Sequence, residues 1–129
     1  MAYVDIVTAL AVLQFVVFGF KVGGARGKYG VKAPAITGNE VFERVFRVQQ
    51  NTLEQLIVFL PGIYLFSRYF NPLVAAVLGV VYLVGREIYS ATYVNNPAKR
   101  SLGYGLTFLP TVILAAGGLI GAVLQLFHG

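Results

Sequence analysis

Long apolar runs alternate with short polar separators along this chain, giving four blocks at about residues 3–22, 40–67, 72–95 and 98–127. The last has no Asp, Glu, Lys or Arg between Leu102 and Phe127 and exceeds the roughly 20 residues that span a bilayer. In lipid the backbone amides must pair within their own segment, so each block predicts a spanning helix. The second block is amphipathic up to about Gln55 and apolar after Leu56, so its first half is expected to project from the lipid or to pack inside a bundle. Gly23 to Gly38, with Pro34, reads as a long and therefore functional loop. Arg68 to Asn71 reads as a tight turn with Pro72 at a helix start. Asn95-Asn96-Pro97 closes the third helix, and Pro97 begins or precedes the fourth. Pro61 and Pro110 fall inside spanning segments and are expected to kink them. Gly117 and Gly121 form a small-xxx-small pair that permits close helix approach. The fold expected is all-α: an integral membrane four-helix bundle, with residues 1–129 as one domain.

Composition agrees with that pattern. The chain is 57% hydrophobic and 12% charged, against about a quarter charged in soluble domains. The first block is not read as a signal peptide, because it opens with Asp5 rather than with positive charge and meets Lys21 and Gly23-Gly24-Ala25-Arg26. A net charge of +5 raises the question of nucleic acid. The basic residues are not interleaved with aromatics, however, and they sort by side. Lys21, Arg26, Lys28 and Lys32 lie in the first separator and Lys99 and Arg100 in the third, against Arg68 alone in the second. The first and third separators are therefore expected to face the cytoplasm, with both termini opposite, in a bacterial inner or endoplasmic reticulum-type membrane. With no Trp, the interfacial belt is expected from Tyr3, Tyr64, Tyr69, Phe70, Tyr104 and Phe127. With no Cys, disulfides, zinc-thiolate sites and Cys nucleophiles are excluded, so any thiol chemistry needs a bound thiol.

Polar side chains inside the blocks are costly, roughly 2.5 to 3.5 kcal/mol for a charge at mid-membrane, and here they are organised. On the second helix Arg44, Arg47, Asn51 and Glu54 fall at i, i+3, i+7 and i+10 and share one face, bordered by Glu43 and Gln50. On the third, Tyr82, Arg86, Tyr89 and Tyr93 fall at i, i+4, i+7 and i+11, with Glu87 beside them. Glu54 and Glu87 are candidate carboxylate partners for Arg86, and a structural ion pair is the plain alternative to a binding role. Guanidinium groups, an amide, a carboxylate and phenols on facing stripes suit a small zwitterionic ligand with two carboxylates. No Ser-His-base set and no phosphate-binding glycine loop is present, no metal site is expected, and His128 reads as a solvated tail residue.

The run Phe42-Glu43-Arg44-Val45-Phe46-Arg47-Val48-Gln49-Gln50-Asn51-Thr52-Leu53-Glu54 resembles the signature of the membrane-associated proteins in eicosanoid and glutathione metabolism, the MAPEG family. Val81-Tyr82-Leu83-Val84-Gly85-Arg86-Glu87-Ile88-Tyr89, with Tyr93, resembles its second signature, and the likeness runs from about Arg26 to Gly121. The resemblance, to the microsomal glutathione transferase and leukotriene C synthase branch, implies a homotrimer of four-helix subunits with glutathione held between neighbours near the cytoplasmic face. It implies glutathione contacts from Arg26, Arg47, Gln49, Asn51, Glu54, Arg86, Tyr89 and Tyr93, and it implies that Arg100 stabilises the thiolate. Gln55 stands where several members have tyrosine, and Gly27 where the leukotriene enzyme has a second arginine.

The activity so implied is glutathione transfer to lipophilic electrophiles, with reduction of lipid hydroperoxides by the same thiolate as a further activity. The alternative is a non-catalytic lipid-presenting protein resembling five-lipoxygenase-activating protein. A small multidrug exporter would need an acidic residue deep in the first helix, and Asp5 lies too near its end.

Overall fold

The computed structural model describes residues 1–128 as four long helices, α1 (Ala2–Tyr29), α2 (Glu40–Tyr69), α3 (Pro72–Asn95) and α4 (Ser101–His128). One 3-10 turn, Pro97–Lys99, stands between α3 and α4. α1, α3 and the segment containing α4 are each long and apolar enough to cross a membrane. α2 has 30 residues, about 45 Å at 1.5 Å per residue, and carries its polar residues on one stripe. The protein is an integral membrane four-helix bundle. Many large apolar side chains are exposed, among them Phe20, Ile57 and Leu119, as on a surface solvated by lipid.

α2 and α3 touch each other and both of the other helices, whereas α1 and α4 meet little, so α1 and α4 flank the α2–α3 pair on opposite sides. The main core joins Val4, Val7 and Ala11 of α1 to Leu56, Phe59 and Ile63 of α2, Ala75, Ala76 and Tyr82 of α3 and Leu114 of α4. Phe59 and Tyr82 stack there with ring centroids 4.0 Å apart. Side-chain caps fix two helix starts: Asn39 Oδ1 accepts from the Phe42 amide at 3.0 Å, and Asn71 Oδ1 from the Leu73 amide at 2.7 Å. Asn71 is followed by Pro72 at the first helical position, where the missing N–H is not needed.

The first separator differs from its sequence reading. Gly23 and Gly24 do not end α1, which continues to Tyr29 and leaves a shorter connection. Packing outweighs the glycine entropy cost of roughly 1 kcal/mol each, because Val22 and Ala25 bury themselves with Val31 and Phe42. The true stop is Gly30, left-handed at φ 69°, whose N–H is bonded to the Arg26 carbonyl. Pro97 precedes α4, one of its two expected places, by opening the 3-10 turn. Pro61 lies inside α2 and Pro110 inside α4, and neither ends its helix.

Glycine sets the spacing of α3 and α4. A methyl group on Gly103 would overlap the Tyr89 backbone, and one on Gly85 would come to 2.8 Å of the Leu106 backbone. The two helices therefore touch main chain to main chain at the level of the polar stripes. Gly117 and Gly121 pack against Phe66 and Tyr69 of α2 within the same chain.

Candidate functional site

The two polar stripes face each other, and Arg86 lies at their centre with 0% exposure. Its Nη1 donates to Asn51 Oδ1 at 2.8 Å and to Thr52 Oγ1 at 3.1 Å, and its Nε donates to Thr107 Oγ1 at 3.0 Å. Thr52 and Thr107 spend their own protons on the Val48 and Gly103 carbonyls, at 2.7 and 2.9 Å, which leaves oxygen lone pairs for the guanidinium. The guanidinium carbon lies 4.4 Å from the centroid of the Tyr89 ring. Nη2 has no partner among the described residues.

Neither carboxylate named as a candidate partner for Arg86 is its partner. Glu54 lies 3.5 Å from Arg47 Nη2, and Glu87 accepts from Gln14 Nε2 at 3.1 Å on another face of α3. Three neutral oxygens take their place, supplied by α2 and α4. Being buried behind Asn51, Arg86 does not line the open site.

That site is a cleft of about 400 Å³ on the α4 side of the α2–α3 pair. Arg47, Asn51, Glu54 and Gln55 of α2 form one wall and Tyr89 and Tyr93 of α3 another, while Arg100 and Tyr104 close it from the start of α4. Tyr89 and Tyr93 stack with centroids 5.3 Å apart and planes 7° from parallel, one turn above the other. Arg86 also determines which end of the Asn51 amide is free. With Oδ1 occupied by Nη1, the Nδ2 group is turned towards Glu54 Oε1 at 3.5 Å. Asn51 thus offers the cleft a donor and not an acceptor.

The side chains of Arg47 and Glu54 are about half exposed, and Arg100 has one weak protein bond, to the Pro97 carbonyl at 3.3 Å. The cleft therefore presents two guanidinium groups for carboxylates, a carboxylate for an ammonium group, an amide donor and phenol hydroxyls. Among the described residues no group of His, Cys, Asp or Glu is arranged to hold a metal ion.

Arg26 and Gln49, also named from the sequence, stand apart from this cleft. Arg26 Nη1 donates to the Val31 carbonyl at 3.4 Å and the Ala35 carbonyl at 2.6 Å, and its guanidinium lies over the Phe42 ring. Gln49 faces α1, where its Nε2 would lie 3.2 Å from a methyl group on Gly19. Conversely, Tyr104, assigned from sequence to the interfacial belt, lines the cleft. The signal for it was its position four residues after Arg100, one turn along the same face.

The model of the MAPEG family matches residues 4–120. An uncharacterized protein of Synechocystis is 50% identical over 94% of this chain and 88% of its own length. Human microsomal glutathione S-transferase 2 is 39% identical over 89% of this chain and 78% of its own. Bovine leukotriene C4 synthase is 35% identical over 73% of this chain and 63% of its own.

Proposed function

Because this chain belongs to the MAPEG family, we propose that it is a membrane glutathione transferase, binding glutathione in the Arg47–Arg100 cleft and using its thiolate on lipophilic electrophiles. The observation that carries this reading is the convergence of Arg47, Asn51, Glu54, Tyr93 and Arg100 on one void, whose groups complement a peptide with two carboxylates and one ammonium. The relatives named glutathione S-transferase supply the chemistry. In the homotrimer proposed here, Arg26 and Gln49 face away from their own cleft and are available to complete that of an adjacent subunit. The clefts open on the cytoplasmic side, where Lys and Arg accumulate.

The thiol of glutathione has a pKa near 8.5, so only about 3% is thiolate at pH 7. Arg100, with few protein bonds of its own, offers its charge to the sulfur. A drop of about two units raises the thiolate fraction to roughly three quarters. The sulfur anion attacks the electrophilic carbon, and the leaving group departs with the bonding electrons. With a hydroperoxide it attacks the terminal oxygen instead, releasing the alcohol, and a second glutathione reduces the resulting sulfenic acid to disulfide and water. The electrophile reaches the site sideways from the bilayer.

Calorimetric titration of the detergent-purified protein with glutathione, followed by turnover of a chlorinated nitrobenzene and a lipid hydroperoxide, tests the reading. Binding with turnover is expected. No binding at millimolar glutathione overturns it and leaves a lipid-presenting protein.

A further inference from the structure

A second cavity, of about 350 Å³, lies at the same end of the bundle on the opposite side of the α2–α3 pair, between these helices and α1. Its lining has two parts. Phe18, Val48 and Val94 make an apolar floor, and Lys21, Ser90 and Asn95 supply polar groups. Ser90 is only 7% exposed. The hydroxyls of Thr52, Ser67, Thr92, Thr107 and Thr111 each donate to the carbonyl four residues earlier. The Ser90 hydroxyl makes no such bond among the described residues, and it remains accessible at the cavity that Ser90 lines. Lys21 forms no ion pair among the described residues, and its ammonium lies 5.4 Å from the centroid of the Phe18 ring. The neighbouring Arg44 is already committed, to Glu40 at 2.5 Å and to the Val94 carbonyl at 3.3 Å.

We propose that this cavity is a second ligand site, which takes the carboxylate and first carbons of a single-chain amphiphile such as a fatty acid. The carboxylate sits between the Lys21 ammonium and the Ser90 hydroxyl, and the chain lies on Phe18, Val48 and Val94. The volume sets how much of the ligand is enclosed: at roughly 30 Å³ for each water-sized group, 350 Å³ holds a carboxylate and about ten carbons. The site is chemically unlike the Arg47–Arg100 cleft, having one free cation, no carboxylate in its lining and a mainly apolar wall. It does not depend on what that cleft binds.

The test is equilibrium binding of radiolabelled laurate to the full-length protein in nanodiscs of neutral phosphatidylcholine. Wild type is compared with Lys21→Gln, Ser90→Val and, as a control in the other cleft, Arg47→Gln, each checked for unchanged helicity and melting. Loss of the charge-assisted contact in Lys21→Gln is expected to weaken binding roughly tenfold, and Ser90→Val also to weaken it. Arg47→Gln is expected to bind laurate like wild type, and dodecanol to bind wild type and Lys21→Gln alike. Equal laurate binding by wild type and Lys21→Gln overturns the proposal, as does a loss confined to Arg47→Gln. Competition by phosphatidylglycerol as strong as that by laurate also overturns it and makes this a headgroup site.

Discussion

Replacing Arg86 with methionine keeps most of its volume and removes its charge and donors. Three hydrogen bonds disappear, to Asn51, Thr52 and Thr107. Bonds to a charged group contribute about 1.5 to 3 kcal/mol each, but a buried charge is itself costly, and apolar replacement of buried ionic groups is often neutral. Thr52 and Thr107 keep their bonds to helix carbonyls, so only Asn51 Oδ1 is left unsatisfied, at about 1 to 3 kcal/mol. The expected stability change is therefore small, on the order of 1 kcal/mol. Ligand binding should suffer more, because the Asn51 amide is then free to turn its oxygen towards the cleft. Losing one oriented donor corresponds to a glutathione affinity about tenfold weaker, or about 1.4 kcal/mol. Asn51→Asp gives the complementary case, since a carboxylate still accepts from Arg86 but has no proton for the cleft. It is expected to melt no lower than wild type and to bind glutathione poorly. Calorimetry and thermal melting on both variants decide the matter. If Arg86→Met stays folded and binds like wild type, or if Asn51→Asp binds like wild type, then Arg86 does not work by orienting the amide.

Arg100→Ala is expected to preserve the assembly while lowering bound thiolate at pH 7 roughly 25-fold, the change that two pKa units produce, read from near-ultraviolet thiolate absorbance. Unchanged absorbance removes Arg100 from that role. Gly103→Ala should force α3 and α4 apart, lowering the melting temperature and kcat/KM together, because Tyr104 sits on the displaced helix and Arg100 immediately precedes it. Gly30→Ala should cost about 1 kcal/mol in chemical denaturation, since the residue is left-handed, and should leave glutathione affinity unaltered. Gln55→Tyr adds a phenol to the cleft wall and is expected to tighten glutathione binding a few-fold by calorimetry.

Much of this architecture was legible in the chain because lipid leaves few choices. An uncharged run such as Leu102 to Phe127 can only be a helix there, and Asn71-Pro72 marks a helix start in any setting. The face shared by Arg47, Asn51 and Glu54 followed from helical periodicity, as did that of Tyr89 and Tyr93. What periodicity cannot supply is the partner across a helix boundary. Thr107 is an ordinary residue in an apolar run, and nothing in the sequence marks it as an acceptor for Arg86. The sequence looked for a carboxylate because an arginine in lipid demands compensation, whereas the fold assembled compensation from hydroxyls already bonded in their own helices. Gly23 and Gly24 misled for a related reason: their effect depends on Val22 and Ala25 finding Phe42, a contact between two separate helices. Gln49 turns away from the cleft because it lies on the face of α2 towards α1, whereas Arg26 belongs to α1 and is held at its end by the Val31 and Ala35 carbonyls.

The neutral coordination of Arg86 bears on how an anion approaches. Its three acceptors carry dipoles but no net charge, so the interior behind Asn51 holds a full positive charge without a counter-ion among its direct partners. Mobile salt screens the exposed Arg47 and Arg100 within about 8 Å at physiological ionic strength, but it cannot surround a side chain with no exposed surface. Part of the attraction felt by an incoming anion is therefore built into the protein interior and persists in brine. Association rates measured across a salt series should fall as the rim charges are screened and then level off at a floor that belongs to the buried guanidinium.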